Sequence, residues 1–339
     1  MARPTRVALA LGSGGARGYA HIGVIRELVA RDFEIVSVAG SSMGALVGGL
    51  HCAGHLDDYV DWIAGLRQLD VVRLVDVSLS KPGGVIGAER VLSRVREILG
   101  DTVIEDLEIP FTAVATDLNA GRAVWFQRGS LVDAIRASIA IPGVISPHEY
   151  QGQLLGDGGI LDPLPVAPTS AVPSDVTIGV ILGSDGGPDD GASREPRSKG
   201  LLRRNVAPIL DSEFVRSVRD RFGFDVGPGQ RRLRDDSGAI GDNSGADGED
   251  AGALDADLAE DLDPADGPQR MGRIEVLSRS LDIMQEALTR YQVAGYPPDV
   301  LIRVPRHTVR TLDFHKASEM IDLGRELTAR ALDELPELT

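Results

Sequence analysis

Cysteine, aromatic side chains and long apolar runs are all scarce in this sequence. A single cysteine, Cys52, among 339 residues excludes an internal disulfide framework and fits a reducing compartment, so a cytoplasmic location is expected. The longest apolar runs, such as Val7 to Leu11 and Ile35 to Ala39, fall far short of the roughly 18 residues a membrane-spanning helix needs. No such span is expected, and peripheral contact with a membrane stays open. The N-terminal stretch MARPTRVALALGSGG has two arginines, but its apolar run meets a glycine cluster before it reaches the length of a secretory signal. Val7 to Leu11 reads as a strand instead. No cluster of His, Cys or carboxylates has metal-ligand spacing, so neither a metal nor another cofactor is expected.

What is present suits a globular protein. With 42% hydrophobic and 25% charged residues, the chain is long enough for one large α/β domain or two small ones. Its net charge of -16 is unevenly spread: Asp235 to Gly267 holds twelve acidic residues and no Lys or Arg, and so supplies -12 of that total. This stretch is rich in Gly, Ala, Asp and Ser and has too little apolar surface to offset its chain entropy. It is expected to be a disordered, solvated insertion, and the charge then says little about the body. No nucleic-acid partner is expected.

The N-terminal third has a clear order. An apolar run from Arg6 to Leu11 is followed by a Gly-rich turn, Gly12 to Gly18. A helical pattern from about Tyr19 to Arg31 then places Ile22, Ile25, Leu28 and Val29 on one face. Ile35 to Ala39 reads as a second buried strand, Gly40 to Gly44 as a sharp turn, and Ala45 to Gly54 as a second helix of small and apolar residues. Parallel strands joined by a helical crossover lie with their C-terminal ends on one edge, where open α/β sheets bind ligands. The two glycine loops should therefore meet.

Each loop suggests chemistry. Gly40-Ser41-Ser42-Met43-Gly44 matches the G-x-S-x-G nucleophile elbow, in which a strained strand-to-helix turn presents a serine hydroxyl. Glycines flank it for steric reasons, although a purely structural turn would look the same. Gly12-Ser13-Gly14-Gly15-Ala16-Arg17-Gly18 fails as a dinucleotide fingerprint, because Arg17 or Ser13 falls where glycine is required, and no P-loop lysine follows. What remains is a run of open backbone amides opposite a nucleophile, which is what an oxyanion hole needs.

These strings, Gly14-Gly15-Ala16-Arg17-Gly18, His21-Ile22-Gly23-Val24, Gly40-Ser41-Ser42-Met43-Gly44-Ala45 and later Asp157-Gly158-Gly159, resemble the patatin-like phospholipase family in order and spacing. The resemblance implies a three-layer α/β/α fold with a mainly parallel central sheet and the elbow after the second strand. It also implies lipid acyl-ester hydrolysis by a Ser42 and Asp157 dyad without a catalytic histidine. The family's glycine loop is usually G-x-G-x-x-G, and Ser13 departs from it while Gly14 and Gly15 are kept. The likeness is strong over Val7 to Val166, weakens through the acidic insertion, and returns faintly at Pro297 to Ile302 and Leu312 to Gly324.

Asp157 follows Leu154-Leu155 and precedes Gly158-Gly159, so it should sit at a strand end on a turn. A carboxylate near its usual pKa of ~4 is a weak base for a serine, so catalysis would need a dry pocket. A cap on a tight Asp-Gly turn is the bland alternative. A Ser, His, Asp triad could draw on His307 or His315, yet only one strand fits between the glycine loop and Ser42, which disfavours it; His315 and His21 read as packed or capping residues. Asp117 could line the same edge or cap a loop. Ser130 to Ala140 reads as a small-residue helix, and Trp125 and Phe126 as core in a strand. Arg273 to Gln292 has Ile274, Val276, Leu277, Leu281, Met284 and Leu288 at helical spacing, and packing of that face on the sheet is expected over membrane docking.

The expected organisation is a catalytic domain over 5–184, a variable insertion over 185–271 with a candidate lid at 201–226 and the acidic segment at 228–270, and C-terminal helices and a strand over 272–335 that complete the domain. The expected partner is a lipid or other acyl ester. An acyltransferase sharing the acyl-enzyme and a non-catalytic lipid-binding protein are the alternatives. Acyl chain length and oligomeric state are not legible.

Overall fold

The computed structural model describes residues 3–64, 86–184, 273–309 and 313–335. The expected lid and acidic insertion lie outside the described residues.

The first strand, β1 (Arg6–Leu11), is buried from Val7 onward and interleaves alanine with larger aliphatic residues. It leads through a 3-10 turn (Gly15–Tyr19) into α1 (Ala20–Ala30), then β2 (Glu34–Ser41) and α2 (Met43–Cys52). This is the strand-helix order read from the sequence, except that α2 begins directly after Ser42. Helices α3 (Leu56–Ala64) and α4 (Ile86–Leu99) precede an antiparallel pair, β3 (Phe111–Asp117) and β4 (Arg122–Phe126). Next come α5 (Leu131–Ser138), the short β5 (His148–Tyr150), β6 (Gln153–Asp157) and β7 (Val176–Ser184). A long helix, α6 (Arg273–Gly295), β8 (Val300–Pro305) and α7 (Ala317–Asp333) close the described chain.

The strands form one sheet in the order β5-β6-β3-β2-β1-β7-β8, with β4 also paired to β3. Five of them, β3-β2-β1-β7-β8, run parallel, and β4, β5 and β6 add antiparallel pairings at the β3 side. Strands buried on both faces read as continuous apolar runs, which is why Val7 to Leu11 lacks alternation. Register brings Leu11 beside Gly40, so the glycine loop and the elbow leave adjacent strands at one edge. Helices pack on the sheet, as the family resemblance implies.

Two glycines set the helix packing. A Cβ at Gly23 of α1 would run into the backbone of Ile321 and Arg325, and one at Gly324 of α7 into the carbonyl of Ala20. The two helices thus touch backbone to backbone, which only glycine permits here. Two expectations about side chains are corrected. Val29 is 54% exposed because it lies at the solvent side of α1, and Trp125 is 46% exposed because β4 pairs with β3 alone and turns one face to solvent. Phe126 is buried, as expected.

Candidate active site

Ser42 stands alone between the end of β2 and the start of α2, with φ 55° and ψ −120°. A non-glycine residue in that region stores on the order of 1–3 kcal/mol of strain, which the surrounding packing must hold. Its flanks explain the glycines: a Cβ at Gly40 would strike the backbone of Gly44, and one at Gly44 the carbonyl of Leu11. Ser41 and Met43, the other elbow positions, are buried on either side. The Ser42 N–H donates to Ser138 Oγ at 2.9 Å, and that hydroxyl donates to the Val114 carbonyl at 2.6 Å. Ser138, at the end of α5, thereby ties the elbow to β3.

Asp157 reaches the same point from β6. Ala115 of β3 pairs with Asp157, and the Thr116 hydroxyl donates to the Asp157 carbonyl at 2.9 Å. Its Oδ2 accepts from Ser42 Oγ at 2.5 Å, and its Oδ1 accepts from the Gly159 N–H at 2.7 Å. The carboxylate thus caps its own Asp-Gly-Gly turn with one oxygen, as the turn-cap expectation has it, and accepts from the serine with the other. A Cβ at Gly158 would collide with the Val114 carbonyl and Ser41 Oγ, so the turn is confined to glycine. Asp157 is 2% exposed and Ser42 1%. Burial pushes the Asp157 carboxyl up to about 6, against the downward pull of the hydrogen bonds from Ser42 and Gly159.

The glycine loop supplies the third wall. The N–H groups of Gly12 and Ser13 are tied to the carbonyls of Val180 and Pro163, at 3.0 and 2.8 Å. Gly14 and Gly15 come next, line the cavity that holds Ser42 and Asp157, and open the 3-10 turn, whose first N–H groups have no partner within the turn itself. His21 fixes the loop from beneath: its Nε2 lies 2.8 Å from the Gly12 carbonyl, and full burial lowers its pKa to about 4, so it is a neutral packed residue. Ser13, the departure from the family pattern, fits against Gly159, where a Cβ would strike its hydroxyl.

Not every residue of the expected oxyanion loop comes to the cavity. Ala16, Arg17 and Gly18 continue the 3-10 turn away from it. Gly18 allows close approach to Met43, and the buried Arg17 guanidinium pairs with Asp282 of α6 at 3.3 Å, its pKa lowered chiefly by burial. No histidine lines the cavity among the described residues. Asp117 is a loop cap: it accepts from the N–H groups of Asn119 and Ala120 at 3.1 and 3.0 Å. Sequence reasoning missed Ser138, Ile141, Pro142 and Ile160, and from α6 Leu281, Asp282 and Gln285, all close to the dyad. Ser138 lies in the small-residue helix and Leu281 on the apolar helical face read from the sequence, but neither reading marked a site residue.

Comparison with known proteins shows the family. The family model described as patatin-like phospholipase matches residues 9–169, which contain Ser42, Asp157 and the glycine loop. An NTE family protein of Mycobacterium tuberculosis is 50% identical over 331 residues, covering 97% of this chain and 91% of that protein. The chain belongs to the patatin-like phospholipase family. A Mycobacterium bovis protein at the same identity and coverage also carries the family name NTE. A protein named lysophospholipase nte1, from Neurospora crassa, is 34% identical over 184 residues, 52% of this chain and 12% of that protein. Among solved structures, VipD from Legionella pneumophila aligns over 98% of this chain and 67% of that chain at a TM-score of 0.41 and 13% identity.

Proposed function

We propose that the chain is a lipid acyl-ester hydrolase in which Ser42 is acylated and Asp157 is its general base. The single observation that carries this reading is the 2.5 Å hydrogen bond from Ser42 Oγ to Asp157 Oδ2 inside a site where both residues are almost wholly buried. The name of the Neurospora relative supports a lipid ester as the substrate class.

In the first step the Asp157 carboxylate takes the Ser42 hydroxyl proton as Oγ attacks the ester carbonyl carbon. The oxyanion of the tetrahedral intermediate is held by the N–H groups of Gly14 and Gly15, each worth about 3 kcal/mol in the transition state. Collapse breaks the bond to the leaving alcohol, which departs with the proton from Asp157. Water then attacks the acyl-serine, again giving its proton to Asp157; collapse breaks the bond from the acyl carbon to Oγ, Asp157 returns the proton to Ser42 Oγ, and the fatty acid leaves. A carboxyl titrating at about 6 is ionised at neutral pH and yet a better base than an exposed aspartate. The chain also reads as one catalytic body, 5–184 with 272–335, interrupted by an insertion over 185–271.

The test is turnover of p-nitrophenyl esters of graded chain length and of lysophospholipids. Ser42→Ala and Asp157→Asn should each lose on the order of a thousandfold or more, and His315→Ala should stay within about twofold of wild type. Loss in His315→Ala would revive the triad. Release of free fatty acid, rather than transfer to an added alcohol, separates hydrolase from transferase.

A further inference from the structure

The side of helix α6 that meets the body mixes apolar and polar contacts. Leu281 and Val293 pack inward, Asp282 pairs with Arg17, Glu286 with Arg306, and the Gln292 amide donates to Asp162 at 2.9 Å and to the Leu161 carbonyl at 3.2 Å. The opposite side is apolar. Val276, Ile283, Met284 and Tyr291 recur at i, i+7, i+8 and i+15, a spacing that keeps them on one face, and they are 48, 53, 51 and 78% exposed. The sequence expectation that this helix packs its apolar face on the sheet is therefore corrected for Val276 and Met284.

Two further features say what suits this face. Arg279 and Arg290, both exposed and eleven residues apart on the same helical line, run along one edge of the stripe, Arg290 also pairing with Glu286 of the same helix. Tyr291 and Tyr296, the latter 61% exposed, close its C-terminal end with rings that have an apolar body and a polar tip. An apolar stripe edged by arginine and tyrosine is the composition of a helix that lies in the boundary between lipid headgroups and acyl chains. The inner side of the same helix brings Leu281 and Gln285 to the cavity that holds Ser42.

We propose that the outward face of α6, with Val276, Ile283, Met284 and Tyr291 at its centre and Arg279 and Arg290 at its edge, docks on a lipid surface bearing anionic headgroups. This places the wall of the catalytic cavity against the surface that holds the substrate, and in that respect it rests on the reading of the site as a lipid hydrolase. Docking itself needs no turnover.

The experiment is sedimentation of the full chain with vesicles of phosphatidylcholine alone and of phosphatidylcholine with phosphatidylglycerol. Compared are wild type, Ser42→Ala, Arg279→Glu and the triple variant Val276→Ser, Ile283→Ser, Met284→Ser. Wild type and Ser42→Ala should bind the anionic vesicles alike, and the triple variant should bind about tenfold more weakly or worse. Arg279→Glu should lose anionic binding selectively, and circular dichroism should show every variant folded, since the side chains changed on α6 are exposed and Ser42→Ala removes only a hydroxyl. Wild type that ignores both vesicles overturns the proposal, as does a triple variant that binds like wild type. A wild-type dimer that the triple substitution dissociates would also overturn it by putting a second copy on the stripe. Vesicle binding by a protein inactive on every ester would sink the hydrolase reading and leave the docking face standing.

Discussion

At the scale of single residues, Asp157 is held in an environment that costs stability and supports chemistry. Its carboxyl ordinarily titrates at 3.8 and here at about 6. Below pH ~4 the folded and unfolded chains are both protonated there, and the group has no effect. As pH rises from there to about 6 the unfolded chain ionises first, and above about 6 the folded state carries the whole penalty of a buried charge, about 3 kcal/mol. Asp157→Asn should therefore be more stable than wild type at pH 8, by up to that amount, with the difference vanishing near pH 4; urea unfolding at the two pH values measures it. The same titration governs rate: kcat/KM should rise with pH through about 6, because only the ionised carboxylate can take the Ser42 proton. A profile flat between pH 5 and 8 would contradict a buried aspartate base. Ser138→Ala would leave the buried Ser42 N–H without its acceptor and should cost about 1–3 kcal/mol. Ser42 and Asp157 were legible because each stands in a glycine setting with a local steric reason. Ser138 was not, because its role depends on α5 meeting the elbow, 96 residues earlier in the chain.

At the scale of elements, close backbone contacts do much of the positioning. Gly324→Ala would push a methyl group onto the Ala20 carbonyl and should lower stability by about 1–3 kcal/mol without touching the dyad. The melting temperature should fall while the chain-length preference for esters stays as in wild type. The order β1, glycine loop, α1, β2, elbow, α2 was readable from the sequence, since continuous apolar runs, glycine clusters and helical periodicity punctuate it in turn. Helix α6 shows the limit of that reasoning. Periodicity revealed its amphipathic character but not which side turns inward, because the same stripe serves a core and a lipid surface equally well. Trp125 was misjudged for a related reason: alternation in a strand does not tell a peripheral strand from an inner one.

At the scale of the whole molecule, distant parts of the chain make one body. β8 pairs with β7 in parallel, α7 packs on α1, and α6 walls the cavity, so residues 273–335 are needed to finish the sheet and the site. A chain ending at residue 184 would leave β7 as an unpaired apolar edge and should aggregate on expression. Replacing 189–269 by a flexible linker should, in contrast, preserve the melting temperature of a body made of 1–188 and 270–339. No helix among the described residues is long and apolar enough to cross a membrane.

The central claim is that Ser42, activated by Asp157 alone, is the residue that becomes acylated. Labelling with a fluorophosphonate, followed by intact mass and peptide mapping at pH values from 5 to 8, tests it most directly. The expected result is one label per chain on the peptide containing Ser42, absent in Ser42→Ala, slowed at least a hundredfold or so in Asp157→Asn, and faster as pH passes about 6. A label on any other residue, or an Asp157→Asn chain that reacts at the wild-type rate, would contradict the dyad.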